Sequence, residues 1–293
     1  MLMSDSGILI VDKPAGLTSQ QVVGRVRRVF DARKRKLKVG HAGTLDPMAT
    51  GVLIVGVGKA TRLLGHLALH DKAYSATIRL GQSTSTDDAE GELIQASDAS
   101  SISEQQLAEA IKPLTGDIMQ VPSSVSAIKV NGKRAYALAR KGEDVALAAR
   151  PVTVSRFDVL DVRKLGEVLD VDVEVEVSSG TYVRALARDL GEALGVGGHL
   201  TMLRRSRIGR YNLAEAVALD DISEEAMMPM AQAARFSFPV RNVDEAQARN
   251  VGYGKPLDIT VEGPVTGLVD PEGNLIALYA PDDSGAKPLA VLI

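Results

Sequence analysis

The chain has 293 residues, 34 Lys and Arg against 37 Asp and Glu, a formal net charge of −3, and neither cysteine nor tryptophan. That length suffices for one large core plus a smaller one, and the lack of cysteine excludes disulfides, a thiolate nucleophile and a cysteine-ligated metal. Net acidity argues against a nucleic-acid partner unless the basic residues are clustered.

No apolar run approaches the ~20 residues that span a bilayer. Asp5 and Asp12 bracket the first apolar run, where a signal peptide would carry a basic start, so a cytoplasmic protein is expected. Of four histidines (41, 66, 70, 199), His66 and His70 have helical spacing. No glutamate lies between them and no third ligand is evident, so no metal is expected.

Residues 7–12 (GILIVD) read as a short buried strand, followed by a turn at Lys13 and Pro14. Thr18 or Ser19 can cap a helix in which Val22, Val23, Val26, Val29 and Phe30 fall at helical spacing. Between 25 and 38 stand eight basic residues opposed only by Asp31. Such a run is either a solvated face or a phosphate-contacting surface.

Next comes GHAGTLDPMATGVLIVGVGKATR, residues 40–62. Glycines at 40, 43 and 51 permit tight backbone paths, Pro47 restrains Asp46 to an extended conformation, and 52–57 must be buried. A lone acid fixed between a rigid loop and a buried strand is placed for chemistry. It equally suits a turn in which Asp46 bonds its own backbone.

Residues 74–80 alternate, with Tyr74, Ala76, Ile78 and Leu80 on one face, and predict a strand. A polar loop, GQSTSTDDAEGEL, then carries Asp87, Asp88 and Glu90. Ser103 and Gln106 form a capping box opening a helix with Leu107, Ala110, Ile111 and Leu114 inward. Residues 121–141 predict a hairpin at Asn131 and Gly132, then a helix with Tyr136. They also carry a second basic group: Lys129, Lys133, Arg134, Arg140 and Lys141.

A strand over about 152–162 precedes LDVDVEVEV (169–177), which puts valines inward and acids outward. SSGTYVRALARDLGEAL hands a strand over to a helix through a tight turn, with Tyr182 and Arg184 at the junction. A third basic group, RRSRIGR, covers 204–210. The pattern weakens from 221 to 240, which marks a domain boundary, and the last ~60 residues read as a compact β-rich module.

Tyr74 and Tyr182 lie beside candidate site loops. Tyrosines there either stack on unpaired bases or pack half-buried with their hydroxyls bonded. Three stretches in this order, GHAGTLDPMATGVL, KAYSATIRLGQSTSTDDAEG and SSGTYVRALARDLG, with DKPAGLTS before them, decide between such readings. The sequence resembles the TruB family of bacterial tRNA pseudouridine synthases over about residues 7–212.

The resemblance implies isomerisation of uridine-55 in the tRNA T-loop to pseudouridine, without cofactor or metal. It implies Asp46 as the catalytic aspartate, Tyr74 as the stacking platform for the flipped uracil, and Arg184 as the partner of the aspartate. Tyr182 lies beside Arg184, and His41 matches a histidine that reorganises the T-loop. Asp88, Lys129 and Leu203 fall at pocket-lining or loop-contacting positions. An arginine near the carboxylate would keep it ionised and anchored, and the target base must be extruded.

The implied fold is α+β: a mixed, mainly antiparallel central sheet flanked by helices (1–232), plus a small PUA-like C-terminal domain (233–293), acting as a monomer. That module is short and acidic. A second role in tRNA folding stays open. Two rival readings are a tRNA-binding module without catalysis and a glycoside-cleaving enzyme. The latter would need a second carboxylate at defined separation, and Asp87, Asp88 and Glu90 lie in a different loop.

Overall fold

A computed structural model describes residues 5–123 and 147–293 in full, and residues 129–130 and 133–134 by backbone alone. The chain forms two compact units: residues up to Ala68 together with Arg207–Ile293, and Leu69–Ser206.

The first unit opens with β1 (Gly7–Lys13), α1 (Ser19–Val29), β2 (Val39–Ala42) and β3 (Thr50–Val57). Both β1 and β2 run antiparallel to β3, with Lys13 opposite Gly51 and Ala42 opposite Ile54. Val52, Leu53, Ile54, Val55 and Val57 are wholly buried, each side chain stabilising by roughly 1.5–3 kcal/mol. Thr18 caps α1 through a capping box with Gln21. Val22, Val23, Val26 and Phe30 pack in one cluster with Leu53 and Val55. Val29, expected inward, is exposed. The buried stripe runs from Val26 to Phe30, one helical repeat on, and Val29 falls outside it.

The second unit holds β4 (Lys72–Leu80), β5 (Gln82–Thr84), β6 (Leu93–Ala96), α2 (Glu104–Ile111), β7 (Gly116–Gln120), β8 (Lys129–Val130), β9 (Lys133–Arg134), β10 (Arg150–Leu165), β11 (Val168–Val177), α3 (Val183–Ala193) and, as far as Ser206, β12 (Gly198–Ile208). The strand order is β12-β4-β11-β10-β7, and β4/β11, β11/β10 and β10/β7 are antiparallel. The stretch expected as a plain polar loop contains the β5–β6 ribbon. β8 and β9 pair antiparallel on either side of 131–132, while the helix expected around Tyr136 lies outside the described residues.

On β11, Val171, Val173, Val175 and Val177 are buried. The acids on the other face are paired rather than simply solvated. Arg79 grips Asp170 at 2.7 and 2.8 Å, Arg163 engages Asp161 and Asp172, and Arg156 engages Asp158, Glu174 and Glu176. The α3 helix lies so close to the start of β12 that a Cβ on Gly191 would come within 2.1 Å of the Gly198 nitrogen.

The first unit resumes with β13 (Tyr211–Asn212), β14 (Val217–Ala218), β15 (Met228–Pro229), α4 (Met230–Ser237), β16 (Val240–Asn242), α5 (Glu245–Gly252), β17 (Thr266–Val269), β18 (Leu275–Asp282) and β19 (Gly285–Val291). β14 pairs parallel with β1, Val217 opposite Val11, and β15 pairs antiparallel with it, Met228 opposite Ile8. The last four strands form a sheet in the order β16-β17-β18-β19. Ala233, Ala234, Leu275 and Leu278 share a core cluster with Ile8, Ile10 and Ile54. Buried Tyr211 donates to the Ala233 carbonyl at 2.9 Å, and burial pushes its phenol up to about 12. The fold is α+β, on mixed but mainly antiparallel sheets.

Candidate active site

Asp46 sits in the seven-residue connection 43–49 between β2 and β3. Gly43 turns the chain with φ 72°, a conformation that a side chain would strain. Leu45 is buried, and its backbone is held at both ends by one hydroxyl. Its N–H donates to Ser19 Oγ at 2.9 Å, and Ser19 Oγ donates to its carbonyl at 3.1 Å. On the other side of Asp46, the Pro47 carbonyl accepts from Lys13 Nζ at 3.1 Å and from the Gly16 N–H at 2.8 Å. The residues flanking the carboxylate are thus tied to the β1–α1 connection.

Lys13 is the unusual member of this set, being fully buried at 0% exposure. Its ammonium donates to three carbonyls, those of Pro14 (2.8 Å), Leu17 (2.6 Å) and Pro47. A buried cation is tolerated when its donors are used in this way. The motif DKPAGLTS is therefore the anchor of the Asp46 loop, with Lys13, Gly16 and Ser19 each holding it. His41, on β2 opposite Val55, is half-buried in the same unit.

The second unit assembles the GTYVR segment. Gly180 takes φ 90° in the turn before it. Tyr182 precedes α3 without capping the helix through its own side chain. Arg184, in the first turn, is buried. Its Nη1 donates to the Thr86 carbonyl at 2.8 Å and lies 3.4 Å from Asp88 Oδ2. Asp88 is 3% exposed, and its other oxygen accepts from Thr86 Oγ1 and from the Glu90 N–H. Asp87 beside it takes φ 60° and pairs with Arg188 at 3.5 Å.

Tyr74 stands on β4 opposite Val175 and is 7% exposed. Leu203 is buried on β12. Lys129 begins β8, and its side chain lies outside what is described. Two residues that sequence reasoning passed over hold this segment. Gln120, buried at the end of β7, bonds Tyr182 through both ends of its amide. Arg188 reaches the Val121 carbonyl at 2.7 Å.

The chain from 27 to 183 matches a family model described as TruB family pseudouridylate synthase (N terminal domain). The chain belongs to the TruB family. Two further models, tRNA pseudouridylate synthase B C-terminal domain and tRNA Pseudouridine synthase II, C terminal, match residues 184–237 and 238–293. It is 58% identical over 282 residues to the tRNA pseudouridine synthase B of Cutibacterium acnes, covering 95% of this chain and 94% of that protein. The protein of the same name from Arthrobacter sp. (strain FB24) is 54% identical over 299 residues, covering 98% and 96%.

Among solved structures, the fold is similar to a chain of a Cbf5-Nop10-Gar1 complex, with TM-score 0.73, 25% identity, and coverage of 99% of this chain and 85% of that one. It also resembles a chain of an H/ACA RNP bound to a substrate RNA containing 2′-deoxyuridine, with TM-score 0.71, 24% identity, and coverage of 98% and 85%. As a TruB-family member the protein is an enzyme, a pseudouridine synthase of the isomerase class.

Within this TruB-family chain the three basic groups are not alike. In the first, Arg25 pairs with Asp220 at 3.0 Å, and Arg35 pairs with Asp5 and Glu224, which raises the Arg35 pKa. Most of the second lies outside the described residues. The third is only in part a surface run: Arg210 is exposed, but Arg205 is 1% exposed. It alternates with its neighbours along β12, so it shares the inward face with Leu203. Lys72, also buried, donates to the His70 carbonyl at 2.7 Å. Burial, with the charge of Arg205 nearby, lowers its ammonium to about 8. Among the described residues no cluster of three or more His, Asp or Glu could hold a metal ion, and no described helix is long and apolar enough to cross a membrane.

Proposed function

We propose that the protein isomerises uridine-55 in the T-loop of tRNA to pseudouridine, with Asp46 as the catalytic carboxylate. The observation that carries this reading is the fastening of the Asp46 loop: a fully buried lysine, a serine and a glycine amide all hold the backbone beside one acid. Relatives named tRNA pseudouridine synthase B, matching nearly the whole chain, supply the substrate class.

The reaction breaks the N1–C1′ bond, rotates the uracil and joins C5 to C1′. The proton leaves C5 and N1 gains one, so the product is an isomer and no co-substrate enters the balance. A single ionised carboxylate suffices, as nucleophile toward the base or C1′, or as base toward a ribose proton. Each route needs that carboxylate charged and fixed. Arg184, held by Asp88 and the Thr86 carbonyl, is the cation assigned to it.

Extruding the base costs a few kcal/mol, and stacking on Tyr74 would return roughly 1–3 kcal/mol. In the same reading His41 helps open the loop, while Tyr182, Leu203 and Lys129 line or contact the RNA. Residues 233–293 form the small RNA-binding PUA-like domain. The enzyme acts as a cytoplasmic monomer.

Incubation with a T-arm stem-loop RNA, followed by mapping of pseudouridine at nucleotide resolution, tests the assignment. Conversion of uridine-55, and of no other uridine in the loop, is expected. An unmodified loop would refute it, and released free uracil would point to glycosidic cleavage instead.

A further inference from the structure

A hollow of about 740 Å³ lies at the C-terminal end of α1, between the 30–38 segment, the start of β2 and Thr61. Arg27, Arg28, Arg33 and Lys38 line it, Gly40 closes one side, and no acidic residue takes part. All four basic side chains belong to exposed residues. One guanidinium nitrogen of Arg27 donates to the Val39 carbonyl at 2.9 Å, which braces it against β2 and leaves other N–H groups for a ligand.

The plain alternative is a solvated basic surface whose arginines merely complement the helix C-terminus. The disposition of the neighbouring charges argues against it. The same run supplies Arg25 and Arg35, and the fold sets Asp220, Asp5 and Glu224 against those two. Among the described residues no ion pair occurs at Arg27, Arg28, Arg33 or Lys38, although they converge on one concavity. Like charges gathered without a counter-charge repel one another. A surface with acids available, and used on adjacent arginines, leaves this hollow positive. Forked guanidinium groups suit phosphate oxygens, which they can bind in pairs.

Position supplies the second argument. Gly40, in the wall, is followed directly by His41 and then by the loop carrying Asp46. We propose that this hollow is a phosphate-binding subsite gripping the sugar–phosphate backbone of the RNA stem, apart from the nucleotide that is modified. The subsite rests on the reading of the protein as an RNA-modifying enzyme and adds to it the place where the stem is held. The eight-residue basic run is thereby divided: four residues bind RNA, two are structural, and Lys34 and Lys36 are spectators.

The test is binding of a T-arm stem-loop RNA as a function of KCl concentration. It compares wild type, an Arg28→Gln/Arg33→Gln/Lys38→Gln variant and a Lys34→Gln/Lys36→Gln control. Each neutralised phosphate contributes about 0.7–0.9 to the slope of log affinity against log salt. The triple variant is expected to lose about 2 from that slope and to bind on the order of 10- to 100-fold more weakly at low salt. The control keeps the wild-type slope.

An Arg28→Lys/Arg33→Lys variant, which retains charge, should keep most of the slope, and it separates charge loss from misfolding. Equal slopes in wild type and triple variant overturn the subsite and return the hollow to a non-RNA anion. Equal losses in triple variant and control also overturn it, since that is diffuse charge. Pseudouridine mapping on the wild type reports separately on the enzymatic reading. A modified loop with unchanged slopes sinks the subsite alone, and an unmodified loop with the expected slope change sinks the reaction alone.

Discussion

Gln120 holds Tyr182 by both faces of its backbone: Oε1 accepts from the Tyr182 N–H at 2.8 Å, and Nε2 donates to the Tyr182 carbonyl at 3.1 Å. The two residues are 62 apart in sequence, so the end of β7 fixes the entry of α3, two residues before Arg184. Leu186 also donates to that carbonyl, so removing the amide orphans chiefly the N–H. Gln120→Ala is expected to lower stability by about 1–3 kcal/mol. It should slow single-turnover pseudouridine formation by about tenfold, equivalent to ~1.4 kcal/mol of barrier, with little change in RNA affinity. Gln120→Glu, which turns a carboxylate oxygen toward the carbonyl, should be no better. Urea denaturation and rapid-quench assays measure both, and a wild-type rate in the alanine variant would make Gln120 a packing residue only.

Asp46→Asn keeps the size of the side chain and the backbone ties from Lys13, Gly16 and Ser19, but removes the charge. Pseudouridine formation is expected to vanish while T-arm affinity stays within about threefold, below ~1 kcal/mol. Tritium release from C5-labelled tRNA measures the first and filter binding the second. Turnover at the wild-type rate would end the assignment of Asp46.

Tyr74 is packed into the sheet opposite Val175, a position that serves a core residue or the rim of a base platform. Tyr74→Phe retains a ring and should retain most stability. Tyr74→Ala is expected to lose turnover well beyond the effect of its instability, since stacking contributes about 1–3 kcal/mol per base. The comparison is single-turnover rate against melting temperature for the two variants. Rates that merely track stability would make the ring a packing element.

Lys72 gives a pH dependence of definite sign. Its folded value of about 8 lies below the ordinary 10.5, through burial first and the charge of Arg205 second. Between those values the unfolded chain binds more protons than the folded one, so stability rises with pH across that interval. Below about 8 both states carry the proton, and the cost of the buried charge is fully present. In Lys72→Met the rise should disappear. The difference in unfolding free energy between the two proteins, measured at about pH 7 and about pH 10, should move in favour of wild type. A constant difference would show Lys72 to titrate normally.

The alternation of β11, the cap before α1, the capping box before α2, and the strand-to-helix junction at Tyr182 were legible because each is set by neighbours a few residues away. Lys13 was not legible: a lysine before a proline reads as a turn, and only the packed fold brings the Pro47 carbonyl to its ammonium. Arg205 was hidden for the opposite reason. A run of arginines masks the two-residue period that sends one of them inward beside Leu203. Gln120 gave no local signal, since the backbone it serves is supplied from far along the chain.

The pairing of β1 with β14 and β15 sets a schedule for synthesis. Ile8 lies opposite Met228 and Val11 opposite Val217, so one edge of the first strand has its partners only after roughly 200 more residues are made. At roughly 5–20 residues per second this is a wait of about 10–40 s. Through that interval an apolar strand edge leaves the ribosome uncovered, as a site for chaperones or for pairing with a neighbouring nascent chain. Leu69–Ser206 meanwhile is a contiguous stretch whose own sheet needs nothing made later. The middle of the chain is thus expected to fold first, and the loop bearing Asp46 to become rigid last.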